Sequence, residues 1–156
     1  MLFDAHTHIN ERSLSDKERA DFIKSVEDAG MDGAVDVGYD LESSALAAKH
    51  AEMYDWCYAA AGCHPHDADS FDEIQLEMIR GLALKKKVVA IGEIGLDFYR
   101  NLSDPEVQEY WFRRQIQLAN ELKMPIVIHE RDAVQAAVYL TLAGTFLLPL
   151  SGSGVR

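Results

Sequence analysis

Three short segments each place side chains typical of metal ligands at the end of an apolar run. They are DAHTH at residues 4–8, IGEIGLD at residues 91–97 and PIVIH at residues 125–129. Each apolar run predicts a short buried strand that gives way to a loop and then to a helical pattern. In an α/β barrel, side chains at the carboxyl ends of the strands form the catalytic rim. The repeated pattern therefore predicts a metal site at such a rim.

His6 and His8 are the first two candidate ligands. They stand two residues apart, so on an extended strand both side chains leave the same face and can converge on one ion. Glu93 is a candidate to bridge toward a second ion, and the glycines on either side of it indicate a tight strand exit. Imidazole and carboxylate ligands do not choose the metal, so we expect one or two divalent ions, with zinc, manganese or magnesium as candidates.

The elements that must position these residues repeat a strand and helix unit. Ser15 and Glu18 have the spacing of a capping box, and Gly30 is a typical helix stop. Further strands are predicted at residues 33–37, 57–63 and 88–92 and from residue 125, and further helices at 41–53, 71–84 and 103–122. Strands that alternate with helices at this spacing indicate parallel βα units with right-handed crossovers.

The chain length limits how many such units are present. About five fit in 156 residues, whereas a closed eight-unit barrel typically needs about 250 residues. We therefore predict an α/β fold of TIM-barrel type, an incomplete barrel of about five parallel βα units. A doubly wound sheet of five strands fits the length equally well. The candidate ligands favour the barrel, because side chains from the first, fourth and fifth units meet easily across a ring but poorly along a flat sheet.

The same segments carry a family resemblance. Its four motifs are LFDAHTHIN at residues 2–10, GCHPH at 62–66, GEIGLDFY at 92–99 and PIVIHERDA at 125–133. Together they resemble the TatD family of metal-dependent deoxyribonucleases, over residues 1–133. The resemblance implies a TIM-barrel hydrolase that cuts phosphodiester bonds in DNA with one or two divalent metals.

The resemblance also implies roles for individual residues. His6, His8 and Glu93 would hold one ion, and Glu93 and His129 would contact the second. Glu93 is thereby the candidate catalytic residue as well as a ligand. His64 would face the substrate phosphate, whereas a structural or solvent-facing role is the ordinary expectation for a histidine in a loop.

Two further residues of the motifs have alternative interpretations. Arg131 would contact the substrate phosphate, or it would form a salt bridge with Glu130 or Asp132 beside it in the sequence. Asp97 would orient a neighbouring ligand, or it would serve only as a turn residue. The sequence alone does not decide between these interpretations.

Residues 134–156 are predicted to form an apolar tail that departs from the family. Residues 133–155 contain no charged side chain, and no histidine follows His129. The family's later His-Cys-Phe-Ser-Gly motif and aspartate ligand are missing, so we interpret this segment as a truncated or frame-shifted end, or one foreign to the protein. SGSG at residues 151–154 resembles a linker. A membrane span is the alternative, disfavoured by Gly144, Pro149 and the lack of flanking basic residues.

These departures lower the activity that we expect. Without the later histidine and aspartate, we predict a single ion held by His6, His8 and Glu93 and weak or absent nuclease activity. One alternative is an amidohydrolase, although that class commonly bridges its metals with a carboxylated lysine where this chain has Glu93. The other is a non-catalytic folded fragment, which would associate with itself through exposed sheet edges.

Composition limits the partners. A formal net charge of -11 excludes a broad basic surface for nucleic acid. DNA or another phosphodiester substrate must therefore be held locally, by bound cations, helix N-termini and a few arginines such as Arg100 and Arg131. The two cysteines lack a redox or zinc spacing, and the N-terminus lacks a signal-peptide pattern, so we expect a cytoplasmic protein without a membrane partner.

Overall fold

The computed structural model describes residues 2–146, and the side chains of residues 2–142. Its elements, in chain order, are β1 (Phe3–Thr7), α1 (Asp16–Asp28), β2 (Gly33–Val37), α2 (Leu41–Met53), β3 (Cys57–Ala61), a 3-10 helix (Pro65–Ser70), α3 (Glu73–Ala83), β4 (Val88–Asp97), α4 (Pro105–Leu122), β5 (Ile126–Arg131) and α5 (Val134–Phe146). Strands and helices therefore alternate along the described chain, as the sequence predicts.

The five strands form one parallel sheet in the order β1-β2-β3-β4-β5. Each strand pairs in parallel with the next one along the chain. A doubly wound sheet would instead reverse its strand order at a switch point, so that alternative is wrong. The prediction of an incomplete barrel of five βα units is confirmed. Within residues 2–146, β1 and β5 are the outer strands, and self-association through these edges stays a prediction.

Local sequence signals fix the helix ends. At the start of α1, the Ser15 hydroxyl accepts a hydrogen bond from the Glu18 amide at 3.3 Å, and the Ser15 amide donates to the Glu18 carboxylate at 2.9 Å. This is the predicted capping box. Asp104 caps α4 immediately before Pro105, and Lys123 ends the helix in the left-handed conformation, with φ of 56°. These caps satisfy backbone groups that the helices leave unpaired.

The core lies between the sheet and the helices. Its largest fully buried side chains include Leu76 and Ile79 of α3, Phe112 and Leu118 of α4, and Ile91 of β4. The other face of the sheet carries a smaller apolar cluster of Val35, Val37, Ala60 and Ala90. This two-sided burial is typical of strands in parallel α/β sheets, and it holds the strand ends that carry the candidate site.

Strand β4 is longer than the sequence predicts. We expected it to end at residue 92, but it runs to Asp97, so Glu93 and Asp97 lie within the strand rather than after it. From the sequence, the two glycines of this segment predict a strand exit. In the structure they lie where β4 passes close to β5, and glycine inside a strand commonly marks such a close backbone approach.

Helix α5 was not predicted, because its segment was interpreted as an apolar tail. The helix packs its Ala137 and Leu140 side chains into the core, while Val138 and Tyr139 are exposed. The exposed face is as apolar as the buried one, so the segment lacks the polar contrast by which a surface helix is recognised. Within the described residues, no helix is both long and apolar enough to cross a membrane. The SGSG segment lies outside the described residues.

Candidate metal centre

His6 and His8 project from the carboxyl end of β1. Thr7 between them is buried, while both imidazoles are exposed, as the alternation of a strand requires. The two Nε2 atoms are 3.2 Å apart. The predicted convergence of these side chains on one point is therefore present in the structure.

The orientation of His8 is fixed by a contact from β2. Its Nδ1 lies 2.8 Å from the carbonyl oxygen of Val37, so in the neutral ring Nδ1 carries the proton and Nε2 keeps a free lone pair. The buried Asn10 side chain donates to the same carbonyl oxygen at 2.8 Å. A ring nitrogen that donates to a carbonyl while the other faces the site is the usual arrangement of a metal-binding histidine.

Glu93 lies between β1 and β5, with one carboxylate oxygen on each side. Its Oε2 is 3.5 Å from His6 Nε2 and 3.8 Å from His8 Nε2. Its Oε1 is 3.1 Å from His129 Nδ1 on β5. This placement is the one expected of a residue that bridges two metal positions.

The surroundings of Glu93 keep its carboxylate ionised. Burial alone would raise the pKa of this group, but the His129 hydrogen bond and the nearby imidazoles outweigh burial, and the pKa lies below its usual value. The same hydrogen bond raises the pKa of His129. Metal binding requires an ionised carboxylate, which is the state that the lowered pKa of Glu93 favours.

Asp97 accepts hydrogen bonds from two histidines. Its Oδ2 accepts from His66 Nε2 at 2.6 Å and from His129 Nε2 at 3.3 Å, and its Oδ1 accepts from the Arg100 amide at 2.8 Å. These are the contacts of an orienting group rather than those of a simple turn residue, because they leave His129 Nδ1 directed toward Glu93. Burial of Asp97 would raise its pKa, but the three hydrogen bonds lower it to about 2.

The low pKa of Asp97 predicts how acid affects stability. In the unfolded chain an aspartate titrates near pH 4, so the stabilisation from Asp97 is complete above that pH and is lost as the pH falls to about 2. Asp97→Asn should therefore destabilise the metal-free protein by about 2 kcal/mol at neutral pH. The difference should shrink between pH 4 and pH 2 in thermal melts recorded with chelator.

A matched variant separates this effect from ordinary acid denaturation. Asp28→Asn removes an exposed carboxylate that pairs with Lys24 at 2.6 Å on the surface of α1, and exposed pairs of this kind contribute little stability. We expect this variant to follow the parent at every pH. A constant difference between Asp97→Asn and the parent from pH 7 to pH 2 would contradict the role given to Asp97.

His64 lies beside His129, with ring centroids 4.2 Å apart. Its Nδ1 accepts a hydrogen bond from the His66 amide at 3.1 Å, so in the neutral ring Nε2 carries the proton. Burial, together with the charge of His129, lowers the pKa of His64 to about 3. His64 is therefore a neutral hydrogen-bond donor at Nε2, which suits contact with a phosphate oxygen.

Two groups of described side chains bring ligand atoms within 4.8 Å of one another: His6, His8 and Glu93, and His64, His66 and His129. Ligand atoms about 2.1 Å from a tetrahedral ion lie about 3.4 Å apart. The separations in the first group, 3.2, 3.5 and 3.8 Å, bracket that value. In the second group, His64 has no lone pair left for a metal, because its Nδ1 accepts the His66 amide and its Nε2 carries the ring proton. The first group therefore fits a divalent ion better.

The Arg131 side chain contacts neither of these two groups. Its guanidinium carbon lies 4.1 Å from the ring centroid of Tyr99, and no carboxylate of the described residues pairs with it. The expected alternative of a salt bridge to Glu130 or Asp132 is therefore absent. Glu130 instead accepts a hydrogen bond from the Ala133 amide at 2.8 Å.

The structure thus brings five of the predicted site residues together: His6, His8, Glu93 and His129, with His64 against the ring of His129. Sequence reasoning missed the contribution of Asn10 and of His66. The motifs contained both residues, but their partners come from other strands, and no local spacing indicates which distant group a side chain will contact.

Comparison with known proteins places this geometry in a family. The family described as TatD related DNase matches residues 3–143. This chain belongs to the TatD family. The match extends through most of α5 and includes the converging side chains of His6, His8, Glu93 and His129.

Similar TatD proteins come from several bacteria. The chain is 40% identical over 152 residues to the 3′-5′ ssDNA/RNA exonuclease TatD of Shigella flexneri, covering 97% of this chain and 57% of that protein. It is 41% identical over 138 residues to the metal-dependent hydrolase YabD of Bacillus subtilis, covering 88% of this chain and 54% of that protein. This chain therefore spans a little over half the length of these relatives.

Solved structures agree on the fold. The crystal structure of the TatD homologue YjjV from Escherichia coli superimposes with a TM-score of 0.79 at 26% identity, covering 92% of this chain and 56% of that one. An amidohydrolase from Saccharomyces cerevisiae gives a TM-score of 0.70 at 20% identity, covering 89% of this chain and 50% of that one. The second likeness concerns the fold alone.

Proposed function

We propose that this chain is a TatD-type hydrolase that cuts phosphodiester bonds in DNA with the help of a divalent metal. The observation that carries this proposal is the position of Glu93, whose two oxygens face the His6 and His8 pair on one side and His129 on the other. A carboxylate with one oxygen on each side can bind an ion at one position and face a second position beside it, as in hydrolases that use one or two metal ions. The exonuclease name of the relatives supports nucleic acid as the substrate class.

We propose His6, His8 and Glu93 as the ligands of one ion, with His129 beside it as a contact to a second position. When bound, a divalent ion in such a site polarises the phosphoryl oxygen and makes an attacking water more acidic. Glu93 contributes a full negative charge, because its pKa lies below the usual value. His8 offers Nε2 because its Nδ1 is committed to the Val37 carbonyl.

The remaining residues contact the substrate phosphate or orient the residues of the metal centre. We propose that His64 donates a hydrogen bond from Nε2 to a phosphate oxygen. Its pKa of about 3 keeps the ring neutral, and its Nδ1 already accepts the His66 amide. Asp97 does not touch the substrate; it holds His129 at Nε2 and so keeps the Nδ1 atom directed at Glu93. Arg131 is proposed to contact phosphate.

Hydrolysis by this chain is expected to be slower than that of the longer TatD relatives. The described residues bring only four ligand side chains together at the Glu93 site, and two metal ions with four or more ligands each need additional donors. If Glu93 served both metal positions, fewer additional donors would be needed, but some would still be missing. We therefore propose one ion per chain as the occupancy.

A hydrolysis assay with three substrates tests the proposed function. A labelled single-stranded oligonucleotide, bis(p-nitrophenyl) phosphate and a cyclic amide are incubated with the chain and Mn²⁺, Zn²⁺ or Mg²⁺, with and without chelator. We expect cleavage of the two phosphodiesters only, abolished by chelator and by Glu93→Gln. Glu130→Gln is the matched control, because Glu130 is an exposed carboxylate of the neighbouring strand that contacts the Ala133 amide. Cleavage that survives Glu93→Gln, or that is confined to the amide, would reject the proposal.

A further inference from the structure

The rim beside the candidate metal centre carries an exposed aromatic side chain. Tyr99 lies two residues after the end of β4, and 63% of its surface is accessible. One face of its ring carries the Arg131 guanidinium, whose central carbon lies 4.1 Å from the ring centroid. A stacked guanidinium holds an exposed ring in place and leaves the other face of the ring open to a ligand.

Among the arginines of the described residues, only the guanidinium groups of Arg131 and Arg100 have no carboxylate or carbonyl partner. Arg12, Arg80, Arg113 and Arg114 pair with carboxylates, and Arg19 donates to backbone carbonyls. The two remaining arginines flank Tyr99, one on the loop after β4 and one at the end of β5. Arg131 lies against the Tyr99 ring and Arg100 follows Tyr99 in the sequence, so in a protein with a net charge of -11 these two side chains offer local positive charge to an anion.

Short contacts tie this surface to the metal centre. The Phe98 amide donates to the Arg131 carbonyl at 2.9 Å, and the Arg100 amide donates to Asp97 at 2.8 Å. The other oxygen of Asp97 holds His129. The backbone around Tyr99 is therefore hydrogen-bonded to Arg131 on one side and to Asp97, which contacts His129, on the other, so a group bound to its ring would lie on the rim beside the candidate metal centre.

We propose that Tyr99 and Arg131, together with Arg100, form a binding subsite for one nucleobase and its phosphate next to the cleaved bond. An aromatic ring with adjoining arginines is the arrangement by which proteins bind single-stranded nucleic acid without reading its sequence. A base stacked on Tyr99 would hold the adjoining phosphate at this rim, which agrees with the single-stranded substrates named for the relatives. This inference rests on the proposed phosphodiesterase function and names the residues that would hold the nucleotide beside the cleaved bond.

Binding to two ligands tests the role of the ring. The ligands are a phosphorothioate oligothymidylate of about eight nucleotides and an abasic strand of the same length, measured by fluorescence anisotropy with Mn²⁺ present. Tyr99→Ala should weaken binding of the base-bearing strand by roughly 5-fold to 100-fold and leave binding of the abasic strand unchanged. Tyr99→Phe should bind like the parent, because stacking needs the ring and not the hydroxyl group.

Tyr139→Ala is the matched control, since Tyr139 is exposed to a similar extent, 66%, on α5. It should leave both affinities unchanged. Arg131→Gln and Arg100→Gln should each lower the slope of log affinity against log salt concentration by about 0.7, the value for one phosphate contact on a single strand. Equal affinity of the parent for both strands, equal losses on both in Tyr99→Ala, or no binding of either strand would overturn the inference.

The same preparations are also assayed on bis(p-nitrophenyl) phosphate, which has no nucleobase. Metal-dependent cleavage of this diester without base-dependent binding would retain the proposed function and reject the subsite. Base-dependent binding without cleavage would retain the subsite and reject the proposed function. The two failures are therefore distinguishable.

Discussion

Replacing His6 and His8 together by alanine should remove the metal ion that the parent chain binds. We expect about one divalent ion per chain in the parent, from the single group with fitting ligand separations, and none in the double variant. Loss of a group that only supports a ligand typically lowers metal affinity by about 10-fold to 100-fold, so loss of two direct ligands should lower it by more than about 100-fold. Elemental mass spectrometry of protein purified without chelator measures the metal content.

A second variant distinguishes the two candidate groups. His66→Ala removes a member of the His64, His66 and His129 group and leaves the other group intact. We expect this variant to retain the ion, with circular dichroism confirming that both variants are folded. If His66→Ala lost the ion while the double variant kept it, the metal would lie in the second group and our assignment would be wrong.

The sequence predicts the parts of this site that follow from strand geometry. His6 and His8 share a face because their spacing matches the period of a strand, and their Nε2 atoms are indeed 3.2 Å apart. The parallel order of the strands then places Glu93 of β4 next to His129 of β5. Local pattern and topology together were therefore enough to predict the contact between these residues.

Contacts between residues far apart in the sequence are beyond such reasoning. His66 and Asp97 are 31 residues apart in sequence and bond at 2.6 Å, yet each motif would look the same if they pointed elsewhere. Arg131 was expected at a phosphate or in a salt bridge, and its stacking on Tyr99 depends on the path of the loop after β4. Such pairings are decided by tertiary packing, which has no periodic signal in the sequence.

The glycines of β4 show how a correct observation led to a wrong strand boundary. Gly95 pairs with His129 in the sheet and has φ of 149°, a conformation that residues with a side chain rarely adopt. A Cβ atom at this position would overlap the backbone carbonyl oxygen of His129. The glycine therefore lets β4 continue close beside β5, and it does so at the strand position that carries a proposed ligand.

Gly95→Ala should consequently destabilise the fold and disturb the site together. Backbone strain of about 1–3 kcal/mol and overpacking of a similar size give an expected loss of at least about 3 kcal/mol in the free energy of unfolding. For a protein of this size, that loss corresponds to a fall in melting temperature of roughly 10 °C. We also expect weaker metal binding, because relief of the overlap would move β5 away from β4 and weaken the hydrogen bond from His129 that positions the Glu93 carboxylate. Thermal melts with chelator and metal titrations measure the two effects separately.

Gly81→Ala is the matched control for the same chemical change. Gly81 lies on the exposed side of α3, and a Cβ atom there meets nothing within 4 Å. Since alanine is the better helix former, this variant should be more stable than the parent by about 0.5–1 kcal/mol. Opposite signs for the two substitutions would show that close packing of β4 against β5, and not the loss of glycine as such, holds His129 in place. A stable Gly95→Ala variant with parental metal affinity would contradict this account of the strand pair.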